Sequence, residues 1–247
     1  MKCQYKDYRY RELILGIDHY FYKVKHTLFK QRNTIKLIVH DGQKYAVKSF
    51  KVPHLLNQIV YRFFRASKAQ RSYENAMKLQ ELGVNTPAPI GYVEFPSLFL
   101  FKESYYISEF FDFDFEIRAV LADNTFSDRE KILKDFVAFS YDLHNKGVYH
   151  IDYSPGNVII KKIKDGYEFA IIDVNRMKFI EYDDEMRFKN LSRFSTSGED
   201  LEFVAREYAI LAKMDEGFAI RTLYKYHNEH QKYLVNKKRL KALKKKK

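Results

Sequence analysis

The sequence predicts an α+β protein in two parts, strand-rich at first and helix-rich after about Asp112. Early in the chain, runs of β-branched and aromatic residues follow one another with turn residues between them. Later segments carry apolar residues at helical spacing, and a single short hairpin is set among those helices.

Three strand-like runs come first: His26 to Lys30, Thr34 to Asp41 (TIKLIVHD) and Gln43 to Phe50 (QKYAVKSF). The turn signals Arg32-Asn33 and Asp41-Gly42 separate them, so they read as an antiparallel meander. Next, HLLNQIVYRFFRASKAQRSYENAMKLQELG places Leu55, Leu56, Ile59, Val60, Phe63 and Phe64 at helical spacing. A second helical stretch then closes on Gly83. Strands follow around Gly91 to Phe95 and Ser104 to Phe110. A long helix is expected from Asp128, closed by Gly147. After it comes the hairpin NVIIKKI and YEFAIID, joined by Lys164-Asp165-Gly166. From Thr196 the chain reads as helical again, with T-S-G-E as a capping box. The expected divisions are residues 1–110, 111–236 and a basic tail, 237–247.

Composition narrows the function classes. Apolar residues make up 46% and charged residues 31%, a globular balance, and 20 Tyr with 21 Phe predict an aromatic core. The single cysteine, Cys3, forms no internal disulfide, which points to a reducing compartment and the cytoplasm. No apolar run is long enough to span a bilayer, and MKCQYKDYRYRELIL is too polar for a signal peptide. The net charge is +12, and the last eleven residues, KKRLKALKKKK, hold eight Lys or Arg. Such a tail reads as a solvated terminus, as a contact with anionic lipid, or third as a nucleic-acid contact; nucleic acid is not expected as a partner.

The stretch HIDYSPGNVII, His150 to Ile160, lies between a helix end and the first hairpin strand, so its polar residues sit on a loop held at both ends. Asp152 and Asn157 are five apart, and Asp173 ends the second hairpin strand, whose base should bring it near Asn157. An amide oxygen and a carboxylate suit Mg²⁺, which takes few protein ligands and completes its shell with phosphate oxygens and water. Asp152 is then free to act as a base. Each residue alone also fits an ordinary turn; the combination, with an apolar hairpin between, points to catalysis.

These residues resemble the protein-kinase-like fold, and the resemblance implies a two-lobed architecture with a strand-rich first lobe. His150, Asp152 and Asn157 match the family's catalytic loop H-R-D-L-x-x-x-N, and Asp173-Val174-Asn175 matches its metal-binding D-F-G. Y-A-V-K assigns Lys48 to the α/β-phosphates of ATP, and Glu74, mid-helix in AQRSYENAMKL, is its implied partner. Glu109 to Phe111 is the implied connection whose backbone binds adenine.

The departures are equally informative. KQRNTI stands where a G-x-G-x-x-G turn would be, so phosphate cover falls to loop amides, Lys30 or Arg32. Ser154 replaces a lysine, Asn175 replaces the D-F-G glycine, and A-P-E is missing, against an ordinary protein kinase. What remains, LHNKGVYHIDYSPGNVII and IIDVNRMKF with Lys48 and Glu74, resembles the lipopolysaccharide-core kinases that phosphorylate Kdo or heptose. The resemblance implies a lipid-linked sugar acceptor. Arg176 reads either as a contact to the acceptor's carboxylate or phosphates or as a structural arginine. HLLNQIVYRFFRASK, with Arg62, Arg65 and Lys68, reads either as core or as an interfacial helix that would bring the protein to the inner membrane. Alternatives are a small atypical, RIO-like protein kinase and a pseudokinase binding module.

Overall fold

The computed structural model describes residues 1–30, 33–97, 100–194 and 198–245, with the side chains of residues 56, 57, 62, 244 and 245 left out. Arg32, Thr196, Leu56 and Arg62, named above for the first turn, the capping box and the interfacial helix, therefore lie wholly or in their side chains outside what is described. The chain forms two compact units: Met1–Asp112 with Ile171–Arg176, and Phe113–Ala170 with Met177–Lys247.

The first unit contains β1 (Lys2–Tyr5), α1 (Arg11–Leu15), α2 (Ile17–Lys23), β2 (Thr27–Lys30), β3 (Thr34–His40) and β4 (Gln43–Ser49). It continues with α3 (Leu55–Phe63), α4 (Lys68–Glu81), β5 (Pro89–Phe95) and β6 (Glu103–Glu109). The strands make one sheet in the order β1-β5-β6-β4-β3-β2, antiparallel at every step. The expected meander is there. His40 pairs with Gln43 across the two-residue turn Asp41-Gly42, and both turn residues have positive φ (48° and 75°), as the tightest hairpin turns require.

Each face of this sheet buries its own apolar set. On one side Leu13, Ile14, Ile17 and Phe21 of α1 and α2 pack on Ile38, Tyr45, Val47, Val93, Tyr105 and Ile107. On the other, Ala69 and Tyr73 of α4 pack on Phe50 and Tyr92. The strand and two helices before Val24 are not evident in the composition, because Lys, Arg and Asp interrupt them. The spacing of Leu13, Ile14, Ile17 and Phe21 is nonetheless helical. Ser67 caps α4, its Oγ accepting from the Gln70 N–H at 3.0 Å, and Gly83 ends it at φ +65°.

The second unit contains β7 (Phe115–Glu116), α5 (Ile117–Ala122), α6 (Arg129–Asn145), β8 (Val148–His150), β9 (Val158–Ile163), β10 (Gly166–Ile171) and β11 (Met177–Phe179). Then come α7 (Asp184–Leu191), α8 (Gly198–Ala212) and α9 (Glu216–Lys245). β9 and β10 form the expected hairpin, extended by β7, while β8 and β11 make a separate two-stranded ribbon. Gly147, at φ +70°, closes α6. Phe136, Tyr153, Phe188 and Tyr208 are nearly inaccessible at the centre of this unit. The basic C-terminal residues continue α9 as helix through Lys245.

Candidate active site

In the first unit, Lys48 projects from β4 on the face shared with Tyr106, its partner across the sheet. Its Nζ lies 2.6 Å from Asp173 Oδ1 and 5.4 Å from the centre of the Phe50 ring. The lysine side chain is 12% exposed and the aspartate 36%, so the pair is only partly screened by water. Asp173 adopts the left-handed conformation (φ +57°), which costs a residue with a Cβ about 1–2 kcal/mol.

The segment carrying Asp173 is pinned on both sides. The Ile171 N–H donates to the Asn85 carbonyl at 3.1 Å, and the Ile171 carbonyl accepts from Thr86 Oγ1 at 2.8 Å. Asn75 Nδ2 of α4 donates to the Val174 carbonyl at 2.7 Å, and Asn175 Nδ2 donates to Asp173 Oδ1. Asn75 and Asn175 went unassigned in the sequence. Asn175 was visible there only as a departure from glycine, yet its side chain orients the carboxylate.

Lys48 pairs with Asp173, while Glu74 is engaged on its own helix. Its Oε1 accepts from Gln70 Nε2 at 2.7 Å, and Gln70 Oε1 in turn accepts from Lys2 Nζ at 2.6 Å. The reason is position. Glu74 exerts its charge on Tyr92 of β5, two strands from β4, and Gln70 sits one helical turn away. With neighbouring Glu94 as a larger cause after burial, that field helps push the Tyr92 hydroxyl up to about 12.

The end of β6 has a distinct hydrogen-bond pattern. The Glu109 N–H is taken by the Ala88 carbonyl at 2.8 Å and the Phe110 N–H by the Lys44 carbonyl at 2.9 Å. Lys30, on the fully exposed β2, is open to solvent, and Arg176 is exposed. A cavity of about 600 Å³ lined by Arg9, His40, Lys44 and Tyr45 also touches Glu109. Of its β4 residues, Tyr45 lies on the face opposite Lys48 and Lys44 on the same one, so the cavity wraps the end of the strand.

In the second unit, the loop from His150 to Asn157 is held mainly by its own backbone. The Asp152 carbonyl accepts from the Ser154 N–H at 2.7 Å and from Asn157 Nδ2 at 2.8 Å. Because the Asn157 amide nitrogen faces inward, its Oδ1 is the end left to act as a ligand. Tyr153, fully buried, hydrogen-bonds Ser140 at 2.8 Å and packs on Phe194 at 4.8 Å; burial pushes its phenol pKa upward. A side chain on Gly156 would overlap the Arg118 guanidinium, which lies across the loop.

His150 is 1% exposed, too deep to touch a substrate. Its Nδ1 accepts from the Asp152 N–H at 3.1 Å and its carbonyl accepts from Asn190 Nδ2 at 2.9 Å. Its contact with Asp152 runs through the backbone N–H, an arrangement that positions the loop. Behind it, Asn190 Oδ1 lies 3.2 Å from His144 Nε2, and His144 Nδ1 lies 2.7 Å from the Tyr208 hydroxyl. Sequence spacing gave no sign of this buried network, whose members come from α6, α7 and α8.

Asn157, in the second unit, and Asp173, in the first, each offer hard oxygen donors of the kind Mg²⁺ takes. No cluster of three or more His, Cys, Asp or Glu exists among the described residues, so such an ion would take the rest of its shell from phosphate and water.

Residues 30–214 match the family described as the lipopolysaccharide kinase (Kdo/WaaP) family. A solved structure described as WaaP in complex with acyl carrier protein superposes with a TM-score of 0.65 at 16% identity, covering 94% of this chain and 99% of that one. No curated protein matches the chain in sequence.

Proposed function

Since the chain belongs to the lipopolysaccharide kinase (Kdo/WaaP) family and is a kinase of two-lobed kinase-like fold, we propose that it uses ATP and Mg²⁺ to phosphorylate a hydroxyl of Kdo or heptose in the lipopolysaccharide core. The observation that carries this reading is the Lys48–Asp173 pair on its pinned segment. A phosphate-binding cation beside a metal-binding carboxylate is what phosphoryl transfer requires.

In this reading Lys48 would orient the α/β-phosphates, and the backbone from Glu109 to Phe111 would bind adenine. Asn157 and Asp173 are the residues that would hold Mg²⁺, which when bound neutralises phosphate charge. Asp152, fixed through its backbone by His150 and Asn157, takes the proton of the sugar hydroxyl. The new bond joins that oxygen to the γ-phosphorus, the bond to the β-bridging oxygen breaks, and ADP leaves. The transition state is loose, so positioning and charge neutralisation do most of the work.

The proposal places the enzyme at the cytoplasmic side of the inner membrane. At α3 and its C-terminal end, Leu55 (65%), Phe63 (56%) and Phe64 (81%) are exposed, which favours the interfacial reading of that stripe over the core one. Among the described residues no helix is long and apolar enough to cross a membrane. Mass spectrometry of lipid A–core from cells with and without the gene tests the function. Loss of about one phosphate from the core is expected, and an unchanged core, with phosphate appearing on proteins instead, would overturn it.

A further inference from the structure

Arginines around the start of α4, and Arg176 after Asp173, stand outside the machinery just described. Arg71 lies in the first turn of α4, half-buried, its Nε donating to the Ser67 carbonyl at 3.3 Å. No acidic residue occupies that turn to offset the positive helix end. One turn on, the Asn75 bond to the Val174 carbonyl ties the segment after Asp173 along the same helix face. Arg176, two residues farther, comes within the electrostatic reach of Arg71. From the other side, the Tyr61 hydroxyl hydrogen-bonds Arg71, and the Arg65 guanidinium lies 5.9 Å from the Tyr61 ring. Tyr61 is itself braced by Phe101 at 5.8 Å. Burial first, and Arg65 next, hold the Arg71 pKa below its ordinary value. Three guanidiniums gathered this way repel one another, and a bound anion relieves the repulsion.

We propose that Arg65, Arg71 and Arg176 form a subsite for a phosphate monoester, so that the acceptor is a sugar chain that already carries phosphate. This rests on the sugar-kinase reading and deepens it. A carboxylate brings one charge and is satisfied by one bidentate guanidinium; a phosphate monoester brings up to two charges and three acceptor oxygens, which suits Arg71 with Arg65 and Arg176 near it. Arg65 and Arg176 are exposed and can reach such a ligand, while Ser67 and Tyr61 hold Arg71 in place. Lipid headgroups offer the same phosphate chemistry, so the test separates the two sources.

Purified full-length wild type, Arg71→Gln and Arg65→Gln are titrated calorimetrically with lipopolysaccharide core oligosaccharide, native and after alkaline phosphatase. The same proteins are sedimented with phosphatidylglycerol vesicles and titrated with ATP. Wild type is expected to bind the phosphorylated oligosaccharide about ten-fold more tightly than the treated one, and each variant to bring that ratio toward one. Arg65→Gln alters an exposed residue and keeps the test valid if Arg71→Gln fails to fold. Equal binding of both oligosaccharides by wild type, or a ratio preserved in the variants, overturns the subsite. So does a loss confined to vesicles or to ATP. A preserved preference with no transfer to any sugar would instead overturn the kinase reading and leave the subsite standing.

Discussion

Lys48 Nζ and Asp173 Oδ1 are 2.6 Å apart, although β4 and the segment after β10 are separated by more than a hundred residues of chain. Both carry charge a nucleotide would use, and here each satisfies the other. Asp173 is presented to the lysine by a left-handed backbone that Asn75, Thr86 and Asn175 brace. Backbone strain held in place by several bonds is typical of a site where geometry serves chemistry.

A double-mutant cycle in urea separates this pair from the expected one. Lys48→Met with Asp173→Asn should show a coupling of about 1–3 kcal/mol, since the two are in direct contact. Lys48→Met with Glu74→Gln should be additive to within about 0.5 kcal/mol, because Glu74 is engaged by Gln70. A larger coupling to Glu74 than to Asp173 would reverse the assignment.

Asp152 and Asp173 should fail in different ways. Asp152→Ala is expected to lower phosphoryl transfer by about 10²–10⁴-fold, the range of general-base catalysis, while nucleotide binding stays nearly intact. Asp173→Ala should abolish the Mg²⁺-dependent part of ATP binding, measured by calorimetry with and without the metal. Wild-type turnover by Asp152→Ala would remove Asp152 from the role of base.

Local signals carried much of this arrangement. Asp41-Gly42, Gly83 and Gly147 announce their turn and caps because positive φ is costly for most other residues. The alternation around Tyr45 and Val47 marks β4. The Lys48–Asp173 contact and the bond from Asn157 to the Asp152 carbonyl join residues that a loop, a hairpin and a strand had already singled out in sequence. What was hidden depends on long-range packing. Glu74 was paired by helix position alone, whereas the sheet order sets it over β5. Nothing in the neighbours of His150 reveals its burial, and its bond from Asn190, forty residues away, is visible only in the fold. α3 left core and surface open, since an apolar stripe has the same period in either setting.

The Arg129–Asp200 ion pair makes a stability prediction for the second unit. The contact is 2.6 Å, with Asp200 6% and Arg129 19% exposed, and Arg129 Nε also donates to the Val120 carbonyl at 3.2 Å. Arg129→Ala takes the guanidinium from a buried carboxylate and should cost about 3–5 kcal/mol. Replacing both partners, Arg129→Met with Asp200→Leu, should recover most of that loss, because no buried charge remains. Equal losses in the single and double variants, read from denaturation midpoints, would show that packing rather than charge matters there.

His144 predicts the pH response. The ring is 2% exposed; its Nε2–H donates to Asn190 Oδ1, and its Nδ1 accepts from the Tyr208 hydroxyl, whose oxygen accepts from Arg187 at 3.0 Å. Burial above all, with a smaller contribution from the Arg187 charge, lowers its pKa from 6.5 to about 3. A proton on Nδ1 would remove the acceptor that Tyr208 needs and add charge beside Arg187. The unfolded chain takes that proton near pH 6.5, so below this value it binds more protons than the folded one. The stability owed to the neutral ring is complete above pH 6.5 and falls away between 6.5 and about 3. The slope is at most about 1.4 kcal/mol per pH unit. Between pH 7 and pH 5, urea denaturation should show wild type losing up to about 2 kcal/mol more than His144→Gln, whose amide takes up no proton. If both proteins lose the same amount across that interval, His144 does not set the acid sensitivity of the fold.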